Sequence, residues 1–85
     1  MFHVYLLQSL KNKSLYVGYT SDSERRLKEH NGNESGYTKK YSPWELVYCE
    51  GYKSEKDARG REQKLKLHAQ GLRRLKERLR ESLTV

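Results

Sequence analysis

Residues 2–20 read FHVYLLQSLKNKSLYVGYT, two apolar runs joined by a short polar segment. Both runs alternate with a period of two, which is typical of strands that bury one face. The alternation groups Val4 with Val17 on one face and Tyr5 with Tyr16 on the other. Two such runs with a polar connection predict a β-hairpin, in which the two tyrosines lie roughly across from one another.

The segment after the hairpin predicts one short helix and a loop. Ser21 and Glu24 have the spacing of a capping box, which marks the N-terminus of a helix. The helix is expected to run to His30 and to stop at Asn31-Gly32. Residues 31–43 contain glycine, proline and several polar side chains, and predict a loop.

A third strand and two further helices complete the predicted fold. Residues 44–50 alternate like a strand, with Leu46 and Tyr48 on the same face. Ser54 marks the start of a second helix, and leucines then recur at helical spacing towards the C-terminus. We expect Gly71 to break this apolar stripe into two helices.

The size and composition of the chain fit one small α+β domain. Its 85 residues, 34% of them hydrophobic, supply material for one modest core, so a single domain is expected over residues 1–85. The order β-β-α-β-α-α predicts a small three-stranded antiparallel sheet covered by helices. No apolar run reaches the roughly 18–20 residues of a membrane-spanning helix. With no secretory signal and only one cysteine, Cys49, the sequence predicts a cytoplasmic protein without disulfides.

Positive charge is concentrated in the last third of the chain. The net charge is +7, and residues 53–85 carry eleven Lys and Arg against five Asp and Glu, whereas residues 1–52 carry seven against six. Such a field raises the local concentration of a polyanion, and nucleic acid is the commonest such partner. The alternative is a solvated basic helix that keeps the domain soluble.

Several polar features are costly to explain by folding alone. Gly18 interrupts a strand, where a glycine weakens pairing unless something approaches the backbone closely. Arg26 and His30 are four residues apart, so they project from the same side of the first predicted helix. Glu62 lies in the basic run 59–62 of the long helix. Taken singly, each feature has an ordinary explanation as a packing residue, a bulge or a solvated face.

Taken in order, these motifs resemble the GIY-YIG nuclease superfamily. The first motif reads His3-Val4-Tyr5 and the second reads Tyr16-Val17-Gly18. The helix motif reads Arg25-Arg26-Leu27-Lys28-Glu29-His30, and the last reads Ala58-Arg59-Gly60-Arg61-Glu62. The match spans residues 2–68 with the family's order and spacing. The resemblance implies the same β-β-α-β-α-α fold and a divalent-metal-dependent endonuclease.

The resemblance also implies a role for each motif residue. Glu62 would hold one divalent cation, Mg²⁺ or Mn²⁺, and Arg26 would clamp a phosphate oxygen. Tyr5 would take the proton of the attacking water, and Tyr16 would hold that water in place. His30 is the competing base, and the choice between Tyr5 and His30 stays open.

Nucleic-acid contacts are expected around this catalytic set. Lys13 could donate to the same phosphate, and Gly18 would let the backbone or substrate pass close to the tyrosine pair. Lys39 and Lys40, beside tyrosines, suit phosphate contacts and base stacking. Because no separate specificity module is present, a nick, flap or branch is the expected target rather than a base sequence. The protein is expected to act either alone or docked to a larger repair or recombination protein. DNA is favoured over RNA without being fixed by the sequence.

Two departures from the family pattern bear on activity. His3 stands where the first motif has glycine, and both motifs have valine in place of isoleucine. No asparagine follows Asn33, although many members carry one downstream of the glutamate; Gln70 is a candidate substitute. The alternative function is a catalytically weak or inactive nucleic-acid-binding module with the same fold. A third hypothesis is a protein-interaction domain that turns its basic helix towards an acidic partner.

Overall fold

The computed structural model describes residues 1–21, 25 and 40–83. This part contains a three-stranded antiparallel sheet followed by two helices, which confirms the α+β class. The strands and helices are β1 (Phe2–Ser9), β2 (Leu15–Thr20), β3 (Trp44–Tyr52), α1 (Glu55–Leu67) and α2 (Ala69–Arg78). The short helix predicted to end at His30 falls, except for Arg25, outside the described residues. Neither described helix has the length and apolar character needed to cross a membrane.

The sheet has the strand order β2-β1-β3, so the first strand is central and pairs with both others. Its two faces carry separate apolar clusters, as the alternation in the sequence predicts. The cluster beneath the helices consists of Val4, Leu6, Val17, Ala58, Leu65, Leu75 and Leu79. The cluster on the opposite face consists of Tyr5, Leu7 and Trp44, with Tyr16 and Tyr41 packed against it.

The hairpin between β1 and β2 is organised by the fully buried side chain of Ser9. Its hydroxyl accepts from the N–H groups of Lys11 and Asn12 at 3.0 and 3.1 Å. The same hydroxyl donates to the carbonyl of Tyr41 at 2.6 Å, which ties the turn to the chain just before β3. Lys13 has a φ of 68°, and its N–H donates to the Ser9 carbonyl at 3.0 Å. The turn thereby fixes the register of the two motif strands.

A β-bulge in β3 corrects the prediction for this strand. The pairing with β1 runs from Leu6–Tyr48 to Leu7–Leu46, so Val47 is the extra residue. Because cross-strand partners share a face, Leu46 lies on the face of Leu7 and Tyr48 lies on the face of Leu6. The prediction that Leu46 and Tyr48 share a face is therefore wrong, since a simple alternation does not allow for the bulge.

Helix α1 begins where the sequence predicts, but the break between the two helices comes earlier than predicted. Ser54 caps α1, with its Oγ accepting from the N–H of Asp57 at 3.4 Å. The break between the helices is at His68, whose backbone is extended (φ −120°, ψ 105°). The prediction of a break at Gly71 is wrong, because Gly71 lies in the first turn of α2. The packing of the leucine stripe outweighs the low helix propensity of a single glycine, which is about 1 kcal/mol.

The second half of β3 is joined to α1 by a hydrogen-bonded cluster around Glu50. The Glu50 carboxylate accepts from the hydroxyls of Tyr48 and Tyr52 at 2.6 and 2.5 Å. It also accepts from Arg61 of α1, with Nε at 2.8 Å and Nη2 at 3.4 Å. Only 15% of the Glu50 side chain is exposed, so these bonds replace most of its hydration. The cluster fixes the position of Arg61 over the β3 edge.

We expect this cluster to make stability depend on pH at both ends of the scale. Burial opposes the charged form of Glu50, but bonds from Arg61, Tyr48 and Tyr52 outweigh it and hold the pKa of this carboxyl below 4.5. Burial and the bond to Glu50 raise the pKa of Tyr52 from 10.0 to about 12. The contribution of Glu50 is therefore complete above pH 4.5 and is lost as the pH falls through its lowered folded pKa. The contribution of Tyr52 is complete below pH 10.0 and is lost between there and about pH 12.

Urea unfolding of the wild type and of Glu50→Gln as a function of pH tests this expectation. At neutral pH the variant should lose about 2 kcal/mol of unfolding free energy, because the Arg61 charge loses its buried partner. The difference between the two proteins should shrink in acid as the wild-type carboxylate is protonated. A difference that stayed constant down to the lowest pH would show that the Glu50 charge does not stabilise the fold.

Candidate active site at the β2 edge

The hairpin brings the two motif tyrosines together on one face of the sheet. The register pairs Tyr5 with Gly18 and Leu7 with Tyr16, so the tyrosines are diagonal neighbours, displaced by two residues from direct opposition. Their ring centroids are 6.4 Å apart, with an interplanar angle of 32°. The prediction of a shared face is confirmed, and the two hydroxyl-bearing rings form a pair.

Gly18 provides the space that the Tyr5 ring occupies. A Cβ at this position would lie 2.2 Å from both Cζ and Oη of Tyr5, and 2.7 Å from its Cε1. Tyr5 itself is only 3% exposed, so its ring is held against the glycine. The close approach predicted for Gly18 therefore exists, and it is the Tyr5 ring that makes it. The prediction that Gly18 also lets a nucleic acid pass close to the tyrosine pair stays a prediction.

Aromatic packing supports the tyrosine pair from the side. The ring of Trp44 lies 6.2 Å from that of Tyr16 at an angle of 63°, an edge-to-face contact. Trp44 is 3% exposed and comes from the first half of β3, before the bulge. Contacts of this kind contribute about 0.5–1.5 kcal/mol beyond burial. The sequence pattern gives no direct signal for this support, because it depends on the pairing of β3 with β1.

Helix α1 brings Glu62 to the same edge of the sheet by way of Lys66. Lys66 Nζ lies 3.2 Å from Glu62 Oε2 and 5.7 Å from the centroid of the Tyr16 ring. The Glu62 side chain is 20% exposed and that of Lys66 is 46% exposed. Tyr5, Tyr16, Lys66 and Glu62 therefore form a continuous series of contacts at the β2 edge. Sequence reasoning missed Lys66, although its spacing of four residues from Glu62 on a helix is a usable signal.

The predicted nucleic-acid lysines are only partly within the described residues. Lys40 is exposed, and its Nζ lies 5.5 Å from the centroid of the Tyr41 ring. Lys13 is exposed in the hairpin turn and lines a pocket of about 500 Å³. Tyr16 and Lys66 line a neighbouring pocket of about 370 Å³ that also contains Leu15 and Leu72 of the first pocket. Lys13 thus lines a pocket that adjoins the one lined by Tyr16 and Lys66.

Three predicted site residues lie outside the described residues. These are Arg26, His30 and Lys39. Their roles as phosphate clamp, competing base and phosphate contact therefore stay predictions. The described part of the candidate site consists of the tyrosine pair, Gly18, Lys66 and Glu62.

Glu62 is the carboxylate that could hold a cation here. Among residues 1–21, 25 and 40–83, no three His, Cys, Asp or Glu side chains gather into a metal-binding group. A single carboxylate suits a hard cation that keeps most of its water ligands, as Mg²⁺ does. The donor set at Glu62 therefore fits Mg²⁺ or Mn²⁺, with the Lys66 ammonium competing for Oε2.

Comparison with known proteins identifies the family. The GIY-YIG catalytic domain matches residues 1–77, which include all four motifs. The chain belongs to the GIY-YIG family. This membership confirms the resemblance and makes the chain a nuclease-family domain, which implies nucleic acid as its partner.

Several relatives of this GIY-YIG chain are UPF0213 proteins of similar length. One from Staphylococcus haemolyticus is 39% identical over 79 residues, which cover 89% of this chain and 95% of the relative. One from Clostridium perfringens is 40% identical over 67 residues, covering 78% and 71% of the two chains. One from Haloquadratum walsbyi is 38% identical over 66 residues, covering 76% and 74%. The GIY-YIG domain thus occurs in both this chain and other small proteins.

Proposed function

We propose that this protein is a divalent-metal-dependent endonuclease that hydrolyses a nucleic-acid phosphodiester and selects DNA by structure rather than by sequence. The observation that carries the proposal is the series of contacts from Tyr5 through Tyr16 and Lys66 to Glu62. These residues come from three separate elements, and Lys66 links the partly buried Glu62 carboxylate to the tyrosine pair. Membership of the GIY-YIG family supports the same reaction.

In the proposed reaction the described side chains orient the reactants. A divalent cation held by Glu62 would supply charge stabilisation for the phosphate and for the leaving 3′ oxygen. Tyr16, half-buried at the β2 edge, holds the attacking water. Tyr5 is fixed against Gly18, and either Tyr5 or His30 receives the proton of that water. Lys66 adds positive charge beside the carboxylate, which favours the approach of a phosphate.

The phosphate clamp and the partners complete the proposal. Arg26 holds a non-bridging phosphate oxygen with its planar guanidinium, a geometry that a lysine reproduces poorly. A domain of 85 residues offers little surface for reading bases, so a nick, flap or branch is the proposed target. We place the protein in the cytoplasm, acting alone or with a larger repair or recombination protein.

Incubation of the purified protein with labelled branched, flapped and linear DNA tests the proposal. A branched or flapped substrate should be cut with Mg²⁺ or Mn²⁺ and should stay intact with EDTA, because the reaction needs the cation at Glu62. The same assay with RNA of the same structures, run in parallel, shows whether the protein cuts DNA, RNA or both. Cutting that persists in EDTA would contradict metal dependence.

One observation favours a second candidate function, a catalytically weak nucleic-acid-binding module. No asparagine follows Asn33, and the candidate substitute Gln70 is exposed in the first turn of α2. Salt-sensitive binding without cutting in either metal would support this candidate over the nuclease.

A further inference from the structure

A second basic surface lies at the β3 edge of the domain. A pocket of about 210 Å³ between α1 and α2 is lined by Arg61, Arg74 and Arg78, together with Gly71 and Leu75. None of these lining residues is acidic. We call this feature the arginine pocket. Arg61 also lines an adjoining pocket of about 370 Å³ that contains Lys56, Lys64 and Asp57.

Glu50 holds Arg61 in place while leaving part of its guanidinium available. The carboxylate accepts from Nε at 2.8 Å and from Nη2 at 3.4 Å. A guanidinium carries five N–H donors, so three are not used by Glu50. Because Tyr48 and Tyr52 also bond to the carboxylate, Glu50 is itself held in position. Arg61 is therefore a preorganised donor at the wall of the arginine pocket.

The uncompensated charge of the arginine pocket comes from Arg74 and Arg78. They are four residues apart on α2, so their side chains project from the same side of the helix. Both are exposed, and neither has an ion-pair partner within the described part of the chain. Like charges at this spacing destabilise a helix by a few tenths of a kcal/mol. Arg78 lies in the last turn of α2, where a positive charge is favourable, but Arg74 does not, and the convergence of both on one pocket suits an anion.

We propose that the arginine pocket binds a backbone phosphate of the nucleic acid at a point away from the cleaved bond. Converging guanidinium groups match the oxygens of a phosphate in both charge and geometry. The identity of the anion rests on the proposed function, which makes nucleic acid the substrate. Backbone contacts position a nucleic acid without reading its sequence.

The distance between the arginine pocket and Glu62 suggests how a phosphate bound in this pocket could help to select a branched substrate. Glu62 and Lys66 face β2, whereas Arg61 faces β3, and β1 lies between these two strands. Strands are spaced about 4.8 Å apart, so the two edges are separated by about 10 Å plus the reach of the side chains. A branched or flapped substrate has arms that leave the cleaved point in different directions. One arm held at the β3 edge would favour such a substrate over a linear duplex.

Two double variants that have the same net charge test the arginine pocket. Arg74→Gln with Arg78→Gln removes two positive charges from the pocket. Arg73→Gln with Arg80→Gln removes two from exposed positions that do not line it. Binding of labelled flapped DNA is measured by fluorescence anisotropy in EDTA over a range of salt concentrations. Equal thermal unfolding midpoints show that both variants are folded.

The pocket variant should bind about tenfold more weakly, and the slope of log Kd against log salt should fall by about 1. The control variant should change affinity by less than about threefold. Equal weakening in both variants would overturn the inference, since it would show only a general effect of net charge.

Cleavage assays on the same proteins separate this inference from the proposed function. Pocket-dependent binding without any cutting would contradict the nuclease and retain the arginine pocket as a phosphate site. Cutting of flapped DNA that is unaffected by loss of Arg74 and Arg78, with unchanged affinity, would retain the nuclease and overturn the arginine pocket.

Discussion

Glu62→Gln should reduce metal-dependent cleavage by about 100-fold or more while leaving the fold intact. The amide has the size of the carboxylate but lacks the charge that a hard cation requires. A 100-fold loss corresponds to about 2.7 kcal/mol of transition-state stabilisation, within the range supplied by a bound cation. The loss of the contact to Lys66 should cost only about 0.5 kcal/mol, since the pair is partly exposed on one helix. Initial cleavage rates and urea unfolding measure the two effects separately.

Glu55→Gln is the matched control for this variant. Glu55 is also on α1, also pairs with a basic residue four positions on, Arg59 at 3.8 Å, and loses the same charge. We expect it to cut at close to the wild-type rate. Similar losses in Glu55→Gln and Glu62→Gln would contradict a specific role for Glu62, as would full activity of Glu62→Gln.

Gly18→Ala should cost about 3 kcal/mol of unfolding free energy, at the upper end of the usual cost of overpacking a core. The added Cβ would lie 2.2 Å from two atoms of the Tyr5 ring. That ring is 3% exposed and packs with Leu7 and Trp44, so it cannot move aside without opening the cluster. Displacing Tyr5 also separates it from Tyr16, so cleavage should fall with stability.

Two control variants test whether the cost of Gly18→Ala comes from the clash with Tyr5: a substitution at a second glycine, and a double variant. Gly60→Ala on α1 adds a Cβ that meets nothing within 4 Å, and should stabilise the protein by up to about 1 kcal/mol through helix propensity. Combining Gly18→Ala with Tyr5→Ala removes the clash, so the two costs should not add. Additive losses in the double variant would show that the Tyr5 ring is not what makes Gly18 necessary.

The hairpin could be predicted from the sequence because its signal is local. Alternation over residues 2–20 fixes which side chains share a face, and the turn residues set the register. The shared face of Tyr5 and Tyr16 therefore follows from the sequence, whereas their diagonal offset depends on the length of the turn. The requirement for glycine at position 18 could not be predicted, because it depends on the rotamer of Tyr5 on the neighbouring strand.

The later elements were harder to predict because they depend on tertiary packing. The bulge at Val47 appears only when β3 is paired with β1, and no residue type marks it. The helix break at His68 is set by how α2 packs on the core, and Gly71 was a misleading local signal. Lys66 and Glu62 share a helix face, but the contact of Lys66 with Tyr16 depends on the position of α1 over the sheet.

The extra residue at Val47 reverses which alternate residues of β3 face each layer. Before it, Trp44 and Leu46 point to the tyrosine side; after it, Tyr48 and Glu50 point to the helix side. The number of residues that β3 contains on each side of Val47 is therefore constrained more tightly than which amino acids they are. A neutral substitution in the strand leaves both layers in place, whereas an insertion or deletion would turn one half over and disconnect the helices from the sheet.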